Sequence, residues 1–342
     1  MQSKPNILLI YTGGTIGMMK DFETGALKAF NFSKLLNKIP ELKQLDCNIE
    51  TISFEHPIDS SNMNPHQWVQ IAEIIENNYE IFDGFVVLHG SDTMSYSASA
   101  MSFMLENLTK PVVFTGSQLP IGDLRTDAKE NLITAIQIAS LHHKGKPVIN
   151  EVCLYFEYKL YRGNRTTKIN AEHFNAFASP NYPPLAESGV HLKVNRDMFL
   201  SKTNGKKFVV HKELDDNVVV VKMFPGINES VLSAILSIPN LKGMVLETYG
   251  SGNAPTDEWL ISALKKAIKN GLHVINVTQC SGGSVSMGQY ETSTSLKKIG
   301  VISGKDSTTE AAITKLMYLL GQQVSPNVFK TIFETSIRGE LS

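Results

Sequence analysis

The sequence predicts an α/β protein of two unequal domains, and three observations carry that prediction. Apolar runs rich in Val and Ile alternate with longer amphipathic stretches. Several of these runs end abruptly in polar, glycine-containing turns, as strands do at the carboxyl edge of an open parallel sheet, where ligands bind. A proline-containing, turn-rich stretch near the middle separates two such α/β series.

Taken in order, residues 6–11 form an unbroken apolar strand that runs into Thr12-Gly13-Gly14-Thr15. A further run, 52–58, leads into Asp59-Ser60-Ser61-Asn62. The helix expected at Pro65–Asn78 has Asn64 as its N-cap and Pro65 at its first position. Strand Gly84-Phe85-Val86-Val87-Leu88 then meets His89-Gly90-Ser91-Asp92-Thr93, and Val112-Val113-Phe114-Thr115 meets Gly116-Ser117. Glycines at such edges let backbone N–H groups come close to a substrate. Helices are expected at 94–108 and 127–143, and a strand at 151–156.

Past Phe177 the run Ala178-Ser179-Pro180-Asn181-Tyr182-Pro183-Pro184-Leu185 excludes a regular element. The polar segment 193–212 follows, with a hairpin signal at Asn204-Gly205. We therefore expect an N-terminal α/β domain over 1–192, a linker over 193–214 and a C-terminal domain over 215–342. The second series opens with Val218-Val219-Val220-Val221, a β-branched run suited to a strand buried on both faces. It continues with strands at 242–247 and 273–277 and helices at 229–237, 257–270, 308–320 and 326–335. Two strand ends again meet polar glycine loops, at 249–253 and 279–284.

Composition removes several function classes. The formal net charge is -1, from 32 basic and 33 acidic residues, so nothing is in excess to neutralise a phosphate backbone, and nucleic acid is not expected as a partner. No apolar run approaches the roughly 20 residues that span a bilayer, and the run after Met1-Gln2-Ser3-Lys4-Pro5 is short for a signal peptide. Cys47, Cys153 and Cys280 lie far apart without C-x-x-C spacing, which suggests neither a disulfide framework nor a zinc site and fits a cytoplasmic protein. The nine histidines contain no H-x-x-x-H pair, and no metal is expected.

Glycine-rich turns often hold phosphates, but the spacing here fails. There is no G-x-x-x-x-G-K-[ST], and Gly250-x-Gly252 lacks the third glycine of a dinucleotide fingerprint. A G-x-S-x-G elbow is also missing. What remains is a hydroxyl nucleophile without a histidine base, and Thr15, Ser91 and Asp92 are the first candidates. A threonine hydroxyl must give up its proton to attack a carbonyl, so an amine or carboxylate must stand near it. Lys168, in Tyr161-Arg162-Gly163-Asn164-Arg165-Thr166-Thr167-Lys168, is the lysine that stands out. Each feature also has a plainer reading. Thr12–Thr15 can be a tight turn, Lys168 a solvated loop lysine, Asp59–Ser61 ordinary capping, and His89 a satisfied, half-buried histidine rather than a base.

Together, 11–18, 59–63, 84–108, 110–120, 160–168, 249–255 and Arg338-Gly339-Glu340-Leu341 resemble the bacterial-type L-asparaginases, specifically the cytosolic type I branch. The resemblance spans nearly the whole chain. It implies two three-layer α/β domains, the larger N-terminal one built on a Rossmann-like, flavodoxin-like parallel sheet. It implies hydrolysis of L-asparagine to L-aspartate and ammonia without cofactor, by an acyl-enzyme on Thr15. In that pattern Ser91, Asp92 and Lys168 form a triad that assists proton transfer. Asp92 also binds the substrate ammonium, and Asp59, Ser60 and Ser61 hold its carboxylate. Gly90 and Ser117 line the pocket; Asn253 completes the neighbour's site in a homodimer or dimer of dimers.

The chain departs from the pattern at three places. Ser91 replaces the commoner threonine and loses a methyl that restricts χ1. Ala26 follows Gly25 where the family carries a lid tyrosine, and no tyrosine lies between Tyr11 and Tyr79; Phe22 can close a lid but cannot relay a proton. Glu247 stands where a basic residue would receive an effector carboxylate near Cys280. The alternatives to a plain asparaginase are a dual glutaminase-asparaginase and a non-catalytic amino-acid sensor on the same scaffold.

Overall fold

The computed structural model describes residues 4–20, 27–29, 39–201, 205–289 and 291–342. Phe22, Gly25, Ala26 and Asn204 lie outside the described residues. The chain divides into two compact units, Met1–Ser179 with Pro183–Lys212, and Pro180–Tyr182 with Glu213–Ser342.

The first unit is organised by an eight-stranded sheet. Its strands are β1 (Asn6–Gly13), β2 (Asn48–Ile58), β3 (Gly84–Leu88), β4 (Val112–Thr115), β5 (Val152–Phe156), β6 (Lys159–Arg162), β7 (Ala186–Glu187) and β8 (Lys193–Val194). The order is β8-β7-β6-β5-β4-β3-β1-β2. From β2 to β5 every pairing is parallel, whereas β6, β7 and β8 extend the sheet antiparallel. The parallel strands read 2-1-3-4-5 across the sheet, the flavodoxin-like order. Their side chains are buried on both faces throughout β3, β4 and β5, as a parallel sheet covered by helices requires.

The covering helices are α1 (Pro65–Asn78), α2 (Met94–Met104) and α3 (Ala128–Ala139). In α1 the Asn64 side chain accepts from His66 N, and Gln67 Oε1 accepts from Asn64 N, closing a capping box worth about 1 kcal/mol. The helix buries Trp68, Ile71, Ala72 and Ile75 at three- and four-residue spacing. By contrast α2 is buried along almost its whole length, serines included.

Two expected helices are shorter than their apolar pattern suggests. The run 94–108 leaves the helix at Met104 because Leu105–Glu106 pairs with Val209–Val210 and Asn107 takes a φ of 60°. The run 127–143 stops at Ala139, and His142–His143 pairs with Lys146–Pro147 across Lys144 (φ 52°) and Gly145 (φ 73°). Positive φ at both central residues suits a tight two-residue hairpin. Residues of the segment expected as a linker belong to this unit: Lys193–Val194 pairs with β7, and Lys212 Nζ meets Glu73 and Glu76 at 3.2 and 2.8 Å.

The second unit has a four-stranded parallel sheet of β9 (Val218–Lys222), β10 (Gly243–Thr248), β11 (His273–Thr278) and β12 (Ile302–Ser303), in that order. Helices α4 (Glu229–Leu236), α5 (Glu258–Lys269), α6 (Glu291–Lys298), α7 (Thr309–Gly321) and α8 (Pro326–Phe333) accompany it. Leu232, Met244, Leu246, Leu260, Leu264 and Val274 form its core. The expectation that the valine run would be buried on both faces is wrong. Among the described residues β9 is an edge strand paired with β10 alone, and of its valines only Val221 is buried.

Candidate functional site

The strand order places a topological switch point between β1 and β3, where the sheet is extended first to one side and then to the other. Thr15 follows β1, and Ser91 and Asp92 follow β3, so both turns open at that crevice. The turns are pressed together by glycine. Gly14 has a φ of 83°, and a Cβ on it would lie 2.5 Å from both N and Cα of Gly90. A Cβ on Gly90 would in turn lie 2.5 Å from Ser60 Oγ. The turns that carry Thr15 and Ser91 thus meet backbone to backbone, and the buried Ser60 side chain packs directly on Gly90.

Thr15 begins a 3-10 turn, Thr15–Gly17, with its carbonyl accepting from Met18 N. The residue is half-buried, and among the described residues no hydrogen bond holds its hydroxyl. On the β3 side, Lys168 Nζ donates to Ser91 Oγ at 2.9 Å and to Asp92 Oδ1 at 2.7 Å. Lys168 is 17% exposed, against 64% for Asp92, so the ammonium is sheltered on one side and the carboxylate faces outward.

Lys168 reaches Ser91 because of the chain before it. β6 ends in the turn Gly163–Arg165, which lies against α2: a Cβ on Gly163 would be 3.2 Å from the Ala98 Cβ. Arg162 at the end of β6 is buried and donates from Nε to Glu151 Oε2 at 2.6 Å. Burial raises the Glu151 carboxyl, and the Arg162 charge opposes that rise. Thr167–Lys168 then pairs antiparallel with Phe177–Ala178, which fixes the direction in which Lys168 leaves the backbone.

Sequence reasoning missed Gln118. Ser91 Oγ donates to its Oε1 at 3.0 Å, while its Nε2 donates to Ala171 O and His173 O, each at 3.1 Å. Because an amide nitrogen between two carbonyls can only donate, the oxygen must face Ser91. The Ser91 hydroxyl therefore accepts from Lys168 and donates to Gln118. The available signal was position: Gln118 follows Thr115-Gly116-Ser117, the third strand edge.

The remaining candidates are accounted for individually. Asp59 Oδ1 accepts from Ser61 N at 2.9 Å and Ser61 Oγ at 2.8 Å, and those bonds hold its carboxyl below the usual range. Thr93 Oγ1 ties the next turn to this segment by donating to Ser60 O at 2.7 Å. Ser117 is buried and donates to Leu119 O at 2.6 Å. Asp127 accepts from Gln118 N and Leu119 N beneath this loop. Burial raises its carboxyl.

His89 is fully buried rather than half-buried, and both ring nitrogens are engaged. In the second unit, Asn253 lies in a loop closed by paired backbone bonds with Tyr249 at 2.8 and 2.9 Å. Glu247 accepts from Thr309 Oγ1 at 2.6 Å. Among the described residues no group of three His, Cys, Asp or Glu is placed to hold a metal ion, and no helix is long and apolar enough to cross a membrane.

Known proteins match this chain along both units. The model "Asparaginase, N-terminal" covers residues 6–199, and "Glutaminase/Asparaginase C-terminal domain" covers 217–333. L-asparaginase 1 of Escherichia coli K12 is 43% identical over 340 residues, spanning 99% of this chain and 98% of its own. The 60 kDa lysophospholipase of Mus musculus is 40% identical across 100% of this chain but only 63% of its own length. The crystal structure of L-asparaginase I from Vibrio cholerae superposes with a TM-score of 0.91 at 41% identity, covering 99% of both chains. With both units matched and relatives this similar from end to end, the chain belongs to the asparaginase family.

Proposed function

We propose that this protein is an L-asparaginase that hydrolyses L-asparagine to L-aspartate and ammonia through an ester on Thr15. The observation that carries the reading is the Lys168–Ser91–Asp92 cluster at the switch point, one glycine contact away from Thr15, in a chain similar throughout to L-asparaginase 1. Thr15 Oγ attacks the carboxamide carbon; its proton passes through Ser91 to Lys168 in the neutral amine form, the Ser91 hydroxyl turning from Gln118 to Lys168 for that step, and Lys168 then supplies it to the amide nitrogen. Protonation of the amide nitrogen lets ammonia leave. Water then attacks the ester, returns a proton to Thr15 and frees aspartate. Asp92, exposed and negative, orients the substrate ammonium; Ser60 donates to its carboxylate, while Asp59 and Ser61, bonded to each other, hold the turn that presents Ser60. The rim at Gly90 and Ser117 shapes the pocket.

Residues 1–192 act as the catalytic domain with 193–212 packed onto it, and the C-terminal domain takes 215–342. A homodimer or dimer of dimers in the cytoplasm, with Asn253 completing the neighbour's site, agrees with this assignment. Catalysis uses no metal or cofactor.

Ammonia release from L-asparagine and L-glutamine by the purified protein tests the reading. A kcat/KM that favours asparagine supports it, and comparable values establish the dual enzyme, since one methylene is worth only about 1–3 kcal/mol in a pocket. Binding of asparagine without turnover would make the protein a sensor. Hydrolysis of a lysophospholipid without deamidation would instead follow the name of the mouse relative.

A further inference from the structure

Beneath the Gly90-Ser91-Asp92 turn, a chain of hydrogen bonds links α1, α2 and the end of β3. Trp68 Nε1 lies 2.9 Å from Ser97 Oγ, Ser97 Oγ lies 2.8 Å from His89 Nε2, and His89 Nδ1 lies 2.7 Å from Gly90 O. His89 and Ser97 are completely buried and Trp68 nearly so.

The direction of every proton in this chain follows from the chemistry of its ends. An indole N–H only donates, so Ser97 Oγ accepts from Trp68 and its own hydrogen is free for His89 Nε2. A carbonyl oxygen only accepts, so Nδ1 carries the imidazole proton and donates it to Gly90 O. The ring is thereby held in one neutral tautomer. Burial pushes its pKa down to about 4, which keeps it neutral near pH 7.

What this fixes is the peptide between Gly90 and Ser91. Among the described residues no peptide bond is cis, and in a trans peptide the C=O and N–H point in opposite directions. With the Gly90 carbonyl drawn down to His89, the Ser91 N–H is turned away from the buried imidazole, outward. Among the described residues it has no hydrogen-bond partner. The turn therefore presents an unpaired donor beside the Ser91 hydroxyl that Lys168 contacts.

We propose that His89, held by Ser97 and Trp68, is a positioning residue that locks the Gly90–Ser91 peptide so that the Ser91 N–H serves as an oxyanion donor. The proposal rests on the asparaginase reading for the identity of the oxyanion, formed when the carboxamide carbon is attacked. The imidazole touches no substrate atom and moves no proton in the reaction. Its contribution appears in the transition state, because the donor is needed most when charge develops on the substrate oxygen.

The test pairs an activity split with a spectroscopic one. Nitrogen-15 NMR of histidine-labelled wild-type protein should show the His89 ring protonated at Nδ1 and bare at Nε2 between pH 6 and pH 8, as roughly bracketed by its lowered pKa. A ring protonated at Nε2 would overturn the proposal. His89→Leu should lower kcat for asparagine by about 10- to 100-fold with KM within about threefold, part of the loss that follows from removing an oxyanion donor outright. His89→Asn keeps an N–H near the Nδ1 position and should restore most of kcat.

Equal kcat in folded His89→Leu and wild type would contradict the role. So would equal losses in both variants, which would mark a purely structural histidine. If His89→Leu does not fold, Ser97→Ala, which removes the hydroxyl that holds the tautomer, should lower kcat severalfold at unchanged KM; an unchanged kcat there overturns the proposal. The tautomer is measured without turnover, so a wild type that does not deamidate asparagine would defeat the functional reading while leaving the hydrogen-bond chain to be judged separately.

Discussion

Gly14 and Gly90 touch backbone to backbone: a Cβ on Gly14 would stand 2.5 Å from the nitrogen and Cα of Gly90. This contact brings the turn after β1 against the turn after β3. Gly14→Ala must therefore strain a φ of 83° and push the two turns apart. The expected result is a stability loss of about 1–3 kcal/mol in denaturant melts, with turnover falling much further than stability explains.

Lys168→Met removes the ammonium that meets Ser91 and Asp92 while keeping a similar stem. Its effect should fall on chemistry rather than folding, because both bonds lie at the rim and the Asp92 partner is exposed. Turnover is expected to drop by about two orders of magnitude or more, with a melting temperature close to wild type. Near-wild-type ammonia release would remove Lys168 from the mechanism.

His89 gives stability a defined pH dependence. Its folded pKa is depressed to about 4 from the ordinary 6.5, with burial the main cause and the Gly90 carbonyl opposing it. Between those values the unfolded chain holds a proton that the folded chain does not. The stability contributed by the neutral ring is thus complete above about pH 6.5 and is lost as pH falls towards 4, by up to about 3 kcal/mol. Denaturation at pH 7 and pH 4.5 should show a smaller acid loss in His89→Asn than in wild type.

The C-terminus of the second unit is fastened by a buried ion pair. Lys315 Nζ donates to Glu340 and to the carbonyls of Phe333 and Thr335, both at 2.8 Å, and both charged side chains are almost wholly inaccessible. Glu340 in turn accepts from Ile337 N and Arg338 N. Burial lowers the Lys315 amine, and Glu340 opposes that shift. Lys315→Met would strand a buried carboxylate and should cost about 3–5 kcal/mol in chemical denaturation. Lys315→Met combined with Glu340→Gln should recover part of that loss.

The sequence made visible what is settled locally. Helix α1 coincides with its expected span because Asn64, Pro65 and Gln67 mark its start within four residues. Strand β3 coincides because a run buried on both faces needs no partner to be recognised. What depended on distant chain was hidden. The exposure of Val220 follows from the edge position of β9, which is decided by the pairing of other strands. Gln118 acquires its role from carbonyls 53 and 55 residues later. From its place in the chain alone, Lys168 is indistinguishable from a solvated loop lysine. Its meeting with Ser91, 77 residues away, needs the whole sheet between them.

The most direct measurement is the location of the covalent intermediate. Acid-quenching the protein during turnover of asparagine and mapping its peptides by mass spectrometry should place an aspartyl ester on Thr15, and Thr15→Ala should show neither adduct nor ammonia release. An ester on Ser91 or any other residue, or deamidation that persists in Thr15→Ala, would contradict the account.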